Sequence, residues 1–169
     1  MYRYGMIGCV IVSATATAQV CQNTIVRAAP DARYEVVAGT NGAEVLDLYT
    51  NLIWQRCSLG QRWSGTQCEG EAQTYSWVDA LKQTAVQNPP VWRVPNIREL
   101  HSLVEDACHD SSTHPQIFPL TPAQVYWSAS PSMANKETAW SVDFNIGTTS
   151  TSNKLSQHHV RMVRAGMAR

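Results

Sequence analysis

The sequence predicts an α+β fold, and three observations lead there. Short β-branched and aromatic runs fill the chain before residue 57 and again after residue 124. Two helix-start signatures stand between them. Strands, then helices, then strands is the order of an α+β domain, not of a repeating βα unit. The cysteines beyond residue 18 are even in number, as in a small disulfide-stapled fold. With 169 residues, one domain with its own core is expected.

Residues 1–18 read as a secretory signal peptide. Arg3 supplies the positive start, Gly5 to Ala14 the short apolar run, and Ala16-Thr17-Ala18 the cleavage pattern, so Gln19 opens the mature chain. That run is well short of the roughly 20 residues of a membrane span, so no transmembrane anchor is expected. Its removal takes Cys9 away and leaves Cys21, Cys57, Cys68 and Cys108. Four cysteines in an exported chain predict two disulfides. Cys57 and Cys68 are nearest in sequence, with Gly60, Ser64 and Gly65 between them to turn the chain. Their pairing leaves Cys21 with Cys108. No Cys-x-x-Cys pair supports a zinc site instead.

Residues 19–32 are polar, Ala-rich and aperiodic, and read as a leader pinned by Cys21 alone. Tyr34 to Val37 and Glu44 to Leu48 read as a hairpin, because Asn41-Gly42 takes positive φ readily. A turn at Tyr49 to Asn51 leads into the apolar strand Leu52 to Arg56. Ser76, with Asp79 three residues on, marks a helix start. Val78, Leu81 and Ala85 give the apolar stripe of a helix over 77–87, stopped by Asn88-Pro89-Pro90.

Trp92 to Leu100 reads as a rigid corner. Pro95 holds Val94 extended, Asn96 is placed to cap, and Glu99 stands where a capping box needs it. A second helix is expected over 97–106, burying Ile97, Leu100, Leu103 and Val104. Cys108 to Pro122 is a loop, and Val125 to Ser130 a strand closed by Pro131. Ala139 to Phe144 alternates as a half-buried strand, and His159 to Arg164 is the last strand. Asn145 to Gln157 is a polar excursion between those two.

Six segments then occur in a recognisable order. They are Leu52-Ile53-Trp54-Gln55-Arg56-Cys57, Trp77 with Ala80-Leu81, Trp92 to Leu100, Tyr126-Trp127-Ser128-Ala129-Ser130, Ala139 to Phe144, and Val160-Arg161-Met162-Val163-Arg164. Together they resemble the Lcl C-terminal domain family of exported bacterial proteins. The resemblance covers about residues 33–165 and leaves 166–169 as a tail. It implies a C-type-lectin-like fold, two helices on a small antiparallel sheet, and adhesin-like carbohydrate binding at the cell surface. The family's best-known member carries a collagen-like stalk and binds sulfated glycosaminoglycans. This chain departs from it in having no Gly-X-Y run and no basic excess, and the ligand expected is a glycan or a glycosaminoglycan-like carbohydrate. The Trp-Arg-x-Pro corner and the closing Val-Arg-x-Val-Arg strand also resemble segments of formylglycine-generating-type enzymes.

Formal net charge is zero, so bulk charge draws the chain neither to nucleic acid nor to an anionic membrane. Recognition then rests on shape and aromatic contact. Trp54, Trp77, Trp92, Trp127 and Trp140 sit among apolar neighbours and are expected in the core, although Trp127 and Trp140 would serve a sugar platform if exposed. Trp63, in a polar loop beside Arg62, is the tryptophan expected at the surface. In the excursion, Asn145, Asn153, Lys154 and His158 are the candidate ligand residues that join Arg62 and Trp63. A solvated loop with no ligand is the competing reading.

Arg93 and Glu99 read as a structural ion pair rather than a catalytic one, since no nucleophile stands near them. Trp92 and Pro95 complete that structural corner. Arg161 and Arg164 are three apart on a strand and face opposite ways, one toward a buried polar network. Cys108-His109-Asp110 with His114 matches no common zinc spacing, and adjacent His158 and His159 point apart. Asp143, Asn145 and Asn153 lack the second acidic residue a calcium site needs. No metal and no cofactor are therefore expected.

Three functions compete. One is a non-catalytic exported module, periplasmic, secreted or cell-surface, that binds a glycan or an envelope or host surface protein. Another is a structural component of an envelope or pilus-like assembly. The last is an enzyme on a formylglycine-generating-type scaffold, disfavoured because that chemistry needs a cysteine pair near the chain end and the last cysteine is Cys108.

Overall fold

The computed structural model describes residues 19–86 and 92–166. The expected signal peptide at 1–18, the expected helix stop at Asn88-Pro89-Pro90, and residues 167–169 of the expected tail lie outside the described residues.

The architecture is α+β, with short helices and antiparallel sheets. In chain order the first half contains β1 (Val20–Cys21), β2 (Tyr34–Val36), β3 (Glu44–Asp47), β4 (Leu52–Gln55), β5 (Arg62–Trp63), β6 (Cys68–Glu69) and α1 (Trp77–Lys82). The second half contains α2 (Ile97–His101), β7 (Cys108–His109), β8 (Val125–Pro131), β9 (Thr138–Asp143), β10 (Thr148–Asn153) and β11 (Val163–Ala165). A four-stranded sheet runs β11-β4-β3-β2 and a three-stranded sheet β10-β9-β8. Two-stranded ladders join β1 to β7 and β5 to β6.

Register explains the first core. Val45 lies opposite Trp54, and Trp54 opposite Val163, so a tryptophan is flanked by valines across three strands. All three are fully buried. Leu100, Leu103, Phe118, Tyr126, Val142 and Phe144 close over them. A second core packs α1 on β8 through Ala80, Trp127, Ala139 and Met162, with Trp77, Leu81 and Trp92 at its margin. The hairpin turn forms as the sequence predicts, with Asn41 at φ 51° and Gly42 at φ 81°.

One segment stitches these parts together. His158 exchanges backbone hydrogen bonds with Tyr75, and His159 bridges Tyr126 of β8. Val160 O accepts from Leu59 N at 2.8 Å, Met162 O accepts from Gln55 N at 3.2 Å, and Val163 exchanges two 2.9 Å bonds with Arg93. Between them the Arg161 side chain turns inward and is fully buried. Its Nη1 donates to the carbonyls of Gln55 and Arg56, and its Nη2 to Thr121 Oγ1 at 2.6 Å. Arg164 faces the other way and pairs with Glu44 at 2.6 Å.

Several elements depart from expectation. The first helix is α-helical only over Trp77–Lys82 and continues as a 3-10 turn over Gln83–Val86. It packs through Trp77, Ala80 and Leu81, whereas Val78 is half exposed, because only one narrow face meets β8. The second helix stops at His101, where Ser102 Oγ donates to Glu99 O at 2.7 Å; Leu103 and Val104 are buried from a turn instead. The polar excursion after Asn145 contains strand β10. It lacks apolar residues, but Ser141 Oγ meets Ser150 Oγ at 3.5 Å and Ser152 Oγ at 3.0 Å, so hydroxyls supply the cross-strand contact. The final strand begins at Val163 rather than His159, because the preceding residues pair with several segments in turn.

The leader is held at more points than Cys21. Gln19 Nε2 donates to the carbonyls of Ser111 and Thr113. Ala28 N and Ala29 N donate to the buried Glu105 carboxylate at 3.1 and 3.0 Å, and Asp31 meets buried His114 at 2.6 Å. Arg33 and Asp47 form a buried two-pronged pair at 2.8 and 2.5 Å. These contacts satisfy polar groups that an aperiodic sequence does not show pairing.

Both disulfides join the expected partners, Cys21 with Cys108 and Cys57 with Cys68. Unreduced peptide mapping should return both pairs. The Cys57→Ser/Cys68→Ser double variant should lose about 3 kcal/mol in urea unfolding, from the loop entropy returned to the unfolded chain. An unchanged midpoint would contradict that.

Candidate functional site

The corner at Trp92 to Leu100 sets the stage for the surface beside it. Asn96 Oδ1 accepts from Glu99 N at 2.9 Å, and Glu99 Oε2 accepts from Asn96 N at 2.8 Å, a complete capping box. Arg93 grips the same Glu99 carboxylate through two nitrogens at 2.7 and 2.6 Å. Burial alone pushes the Glu99 carboxyl upward, but Arg93 and the Asn96 amide outweigh it and hold the pKa below the ordinary value. The corner is tied to β8 through Ala129 N to Pro95 O at 2.7 Å and Ile97 N to Ser130 Oγ at 3.0 Å. The Arg164 guanidinium lies 5.2 Å from the Trp92 ring centre. The pair is thus structural, as its setting in the sequence suggests.

This anchoring fixes α2 against the three-stranded sheet and leaves a groove between α2 and β10. Ile97, Arg98, His101 and Thr149 line a space of about 260 Å³. Arg98 and His101, three apart on one helix face, are exposed. Among the described residues neither side chain has a hydrogen bond or ion pair. Trp140 pairs with Thr151 across β9 and β10, and Val142 with Thr149. Alternation along the strands therefore puts Trp140, Thr149 and Thr151 on one sheet face. Val142 on that face is covered by Leu100 and Leu103, but Trp140 beyond it is 37% exposed. Trp140 was expected in the core; it is exposed because α2 starts beside Ser130 and its buried residues lie further on, over Val142.

The model of the Lcl C-terminal domain matches residues 43–164. The chain belongs to the Lcl C-terminal domain family. A comparison with curated proteins finds no match. The Lcl C-terminal domain here runs from the first hairpin to β11 and contains the groove. Its N-terminal limit falls inside the fold, since β2 pairs with β3 ahead of most of it.

The candidate residues read from the sequence are placed apart. Arg62 is exposed on β5, 3.9 Å from Glu69. Trp63 is only partly exposed: the Arg56 guanidinium stacks 4.0 Å from its ring centre, and its Nε1 donates to Asn41 O at 2.8 Å. Asn145 sits in the β9–β10 turn, its carbonyl accepting from Asp110 N at 2.9 Å. That turn requires Gly147 at φ 75°, where a Cβ would stand 2.8 Å from Val104. Asn153 closes the far end of β10 through Oδ1 to Leu155 N at 2.9 Å. Lys154 donates to Lys136 O at 2.6 Å and lies over Trp77 at 4.5 Å. His158 packs on Trp127, ring centres 4.5 Å apart. These six do not converge on one surface.

Sequence reasoning passed over Arg98 and His101, and it placed Trp140 in the core while naming it as a sugar platform if exposed. The signal for the first two was present, since both fall off the Ile97–Leu100 stripe once the capping box fixes the helix phase. For Trp140 no local signal of exposure exists, because it depends on where α2 packs on the sheet.

Burial pushes the pKa of both His158 and His159 below the ordinary histidine value. The folded state thus holds them neutral while the unfolded chain takes up protons first. Stability is complete above the unfolded pKa of about 6.5 and is lost as pH falls below it. Urea unfolding at pH 7.5 and pH 5 should show this loss above the carboxylate range, and His158→Gln should flatten the slope. A slope that is flat in the parent chain would contradict the assignment.

Proposed function

We propose that the chain is an exported, non-catalytic module of C-type-lectin-like fold that binds carbohydrate in the α2–β10 groove. The observation that carries this reading is Trp140, a tryptophan 37% exposed on the sheet face where Thr149 and Thr151 of β10 also stand exposed. The apolar C–H face of a sugar ring packs on an indole, while its hydroxyls need donors and acceptors at the edge. Thr149 in the groove and Thr151 beside it on the same exposed face supply both, and Arg98 and His101 supply donors not used elsewhere among the described residues. A rigid scaffold carrying such groups at its rim favours recognition over chemistry.

Export is supported by two disulfides, which persist in oxidising compartments. Among the described residues no helix is long and apolar enough to cross a membrane. The four cysteines described are all in disulfides, which supports a binding role over thiol chemistry.

A glycan array, followed by calorimetry on the best hit, tests the proposal. Trp140→Ala should weaken binding at least tenfold, and Arg98→Ala should weaken it several-fold, with unfolding midpoints unchanged. Binding that persists in Trp140→Ala, or a parent chain that binds no glycan, would overturn it.

A further inference from the structure

Of the four edges of the two larger sheets, one is unguarded among the described residues. The outer side of β11 is paired by Arg93 through its bridge to Val163. The outer side of β8 is covered by His159 and by Pro95, whose carbonyl accepts from Ala129 N. The edge strand β2 is three residues long and carries Glu35. Strand β10 is six residues long, pairs only with β9 among the described residues, and exposes all but one of its residues. Its sequence Thr-Thr-Ser-Thr-Ser-Asn holds no charge, no proline and no bulge, the devices that ordinarily block edge pairing.

We propose that β10 pairs with β10 of a second copy, antiparallel about a two-fold axis normal to the sheet, to give one continuous sheet across a homodimer. The occupant is a second copy because the strand complements itself. Centred on Thr151, the pairing sets Thr151 against Thr151, Ser150 against Ser152 and Thr149 against Asn153. Short polar groups oppose short polar groups, and no like charges meet. The alternation of faces is preserved, since each opposed pair has the same parity. The ends fit as well. Ile146 before the strand is 59% exposed and Leu155 after it is 83% exposed. Antiparallel pairing brings Ile146 of each copy to the end where its partner's Leu155 stands, so four exposed apolar side chains are covered at two points. Formal net charge of zero leaves no overall repulsion between copies.

The dimer also changes the groove. Trp140 is the cross-strand partner of Thr151, so the two indoles stand on the same face three strand spacings apart, about 14 Å. This consequence rests on the carbohydrate reading; the dimer does not.

Sedimentation equilibrium of the purified chain tests the pairing. The parent chain should dimerise with a Kd at or below about 100 µM. Thr151→Lys, which sets two lysines against each other on the axis, should raise that Kd at least tenfold. Ile146→Asp and Leu155→Lys alter exposed side chains outside the strand and should leave the unfolding midpoint unchanged. Each alone should weaken self-association, and a mixture of the two should form a heterodimer more tightly than either forms a homodimer. A parent chain monomeric throughout, a dimer indifferent to Thr151→Lys, or no heterodimer preference would each overturn the proposal. None of these outcomes bears on Trp140→Ala, so a failure here is separate from a failure of glycan binding.

Discussion

The structure turns on a buried cation that has no carboxylate. Arg161 is fully buried, yet its hydrogen bonds go to two backbone carbonyls and two hydroxyls. Phe118 presents its ring 4.8 Å from the guanidinium, and Ser58, which accepts from Nη2 at 3.4 Å, lies 2.6 Å from the Tyr126 hydroxyl. Burial holds the pKa of this arginine below its ordinary value, with the nearby Tyr126 opposing the shift. A cation placed among dipoles keeps its charge only if those dipoles are held in position. The carbonyls of Gln55 and Arg56 lie where β4 ends, Ser58 beyond it, and Thr121 in the loop before β8. One side chain therefore ties two segments distant in sequence, residues 55–58 and the loop at Thr121, to its own.

That fixation propagates to the surface. The backbone on either side of Arg161 bridges β8 through His159 and the corner through Val163. The corner, clamped by Arg93 and Glu99, sets the angle of α2 on the sheet. α2 starts beside Ser130, at the Trp140 end of the sheet, and the chain runs from there toward Gly147, so Leu100 and Leu103 join Val142 in the core while Trp140 stays 37% exposed. The groove and the open edge of β10 are thus the parts of the sheet left uncovered once the interior is tied. Interior and surface are linked by geometry, and the groove needs no rearrangement to exist.

Much of this was legible in the sequence. Asn96 and Glu99 announced the capping box, Asn41-Gly42 the hairpin turn, and cysteine proximity both disulfides, because each is a local rule with a local cause. Opposite facings of Arg161 and Arg164 were expected from strand alternation and are found, although Arg161 lies before β11. Features that depend on contacts remote in sequence were not legible. Trp140 alternates with Val142 like a core residue, and its exposure depends on where α2 packs on the sheet. Trp63 sits in a polar loop like a surface residue, and only Arg56 from β4's end covers its face. Strand β10 has no apolar residue to announce it, since its pairing rests on hydroxyls and backbone. The leader looked loose because its anchors, Glu105 and His114, lie far along the chain.

The most direct test of this account is chemical unfolding of Arg161→Met, which keeps the volume and removes the donors. Two backbone carbonyls and two hydroxyls lose the partner that satisfies them, so the variant should be less stable by about 3 kcal/mol or more. A variant as stable as the parent chain, or more so, would show that the arginine is a tolerated burden and not the tie that holds these segments.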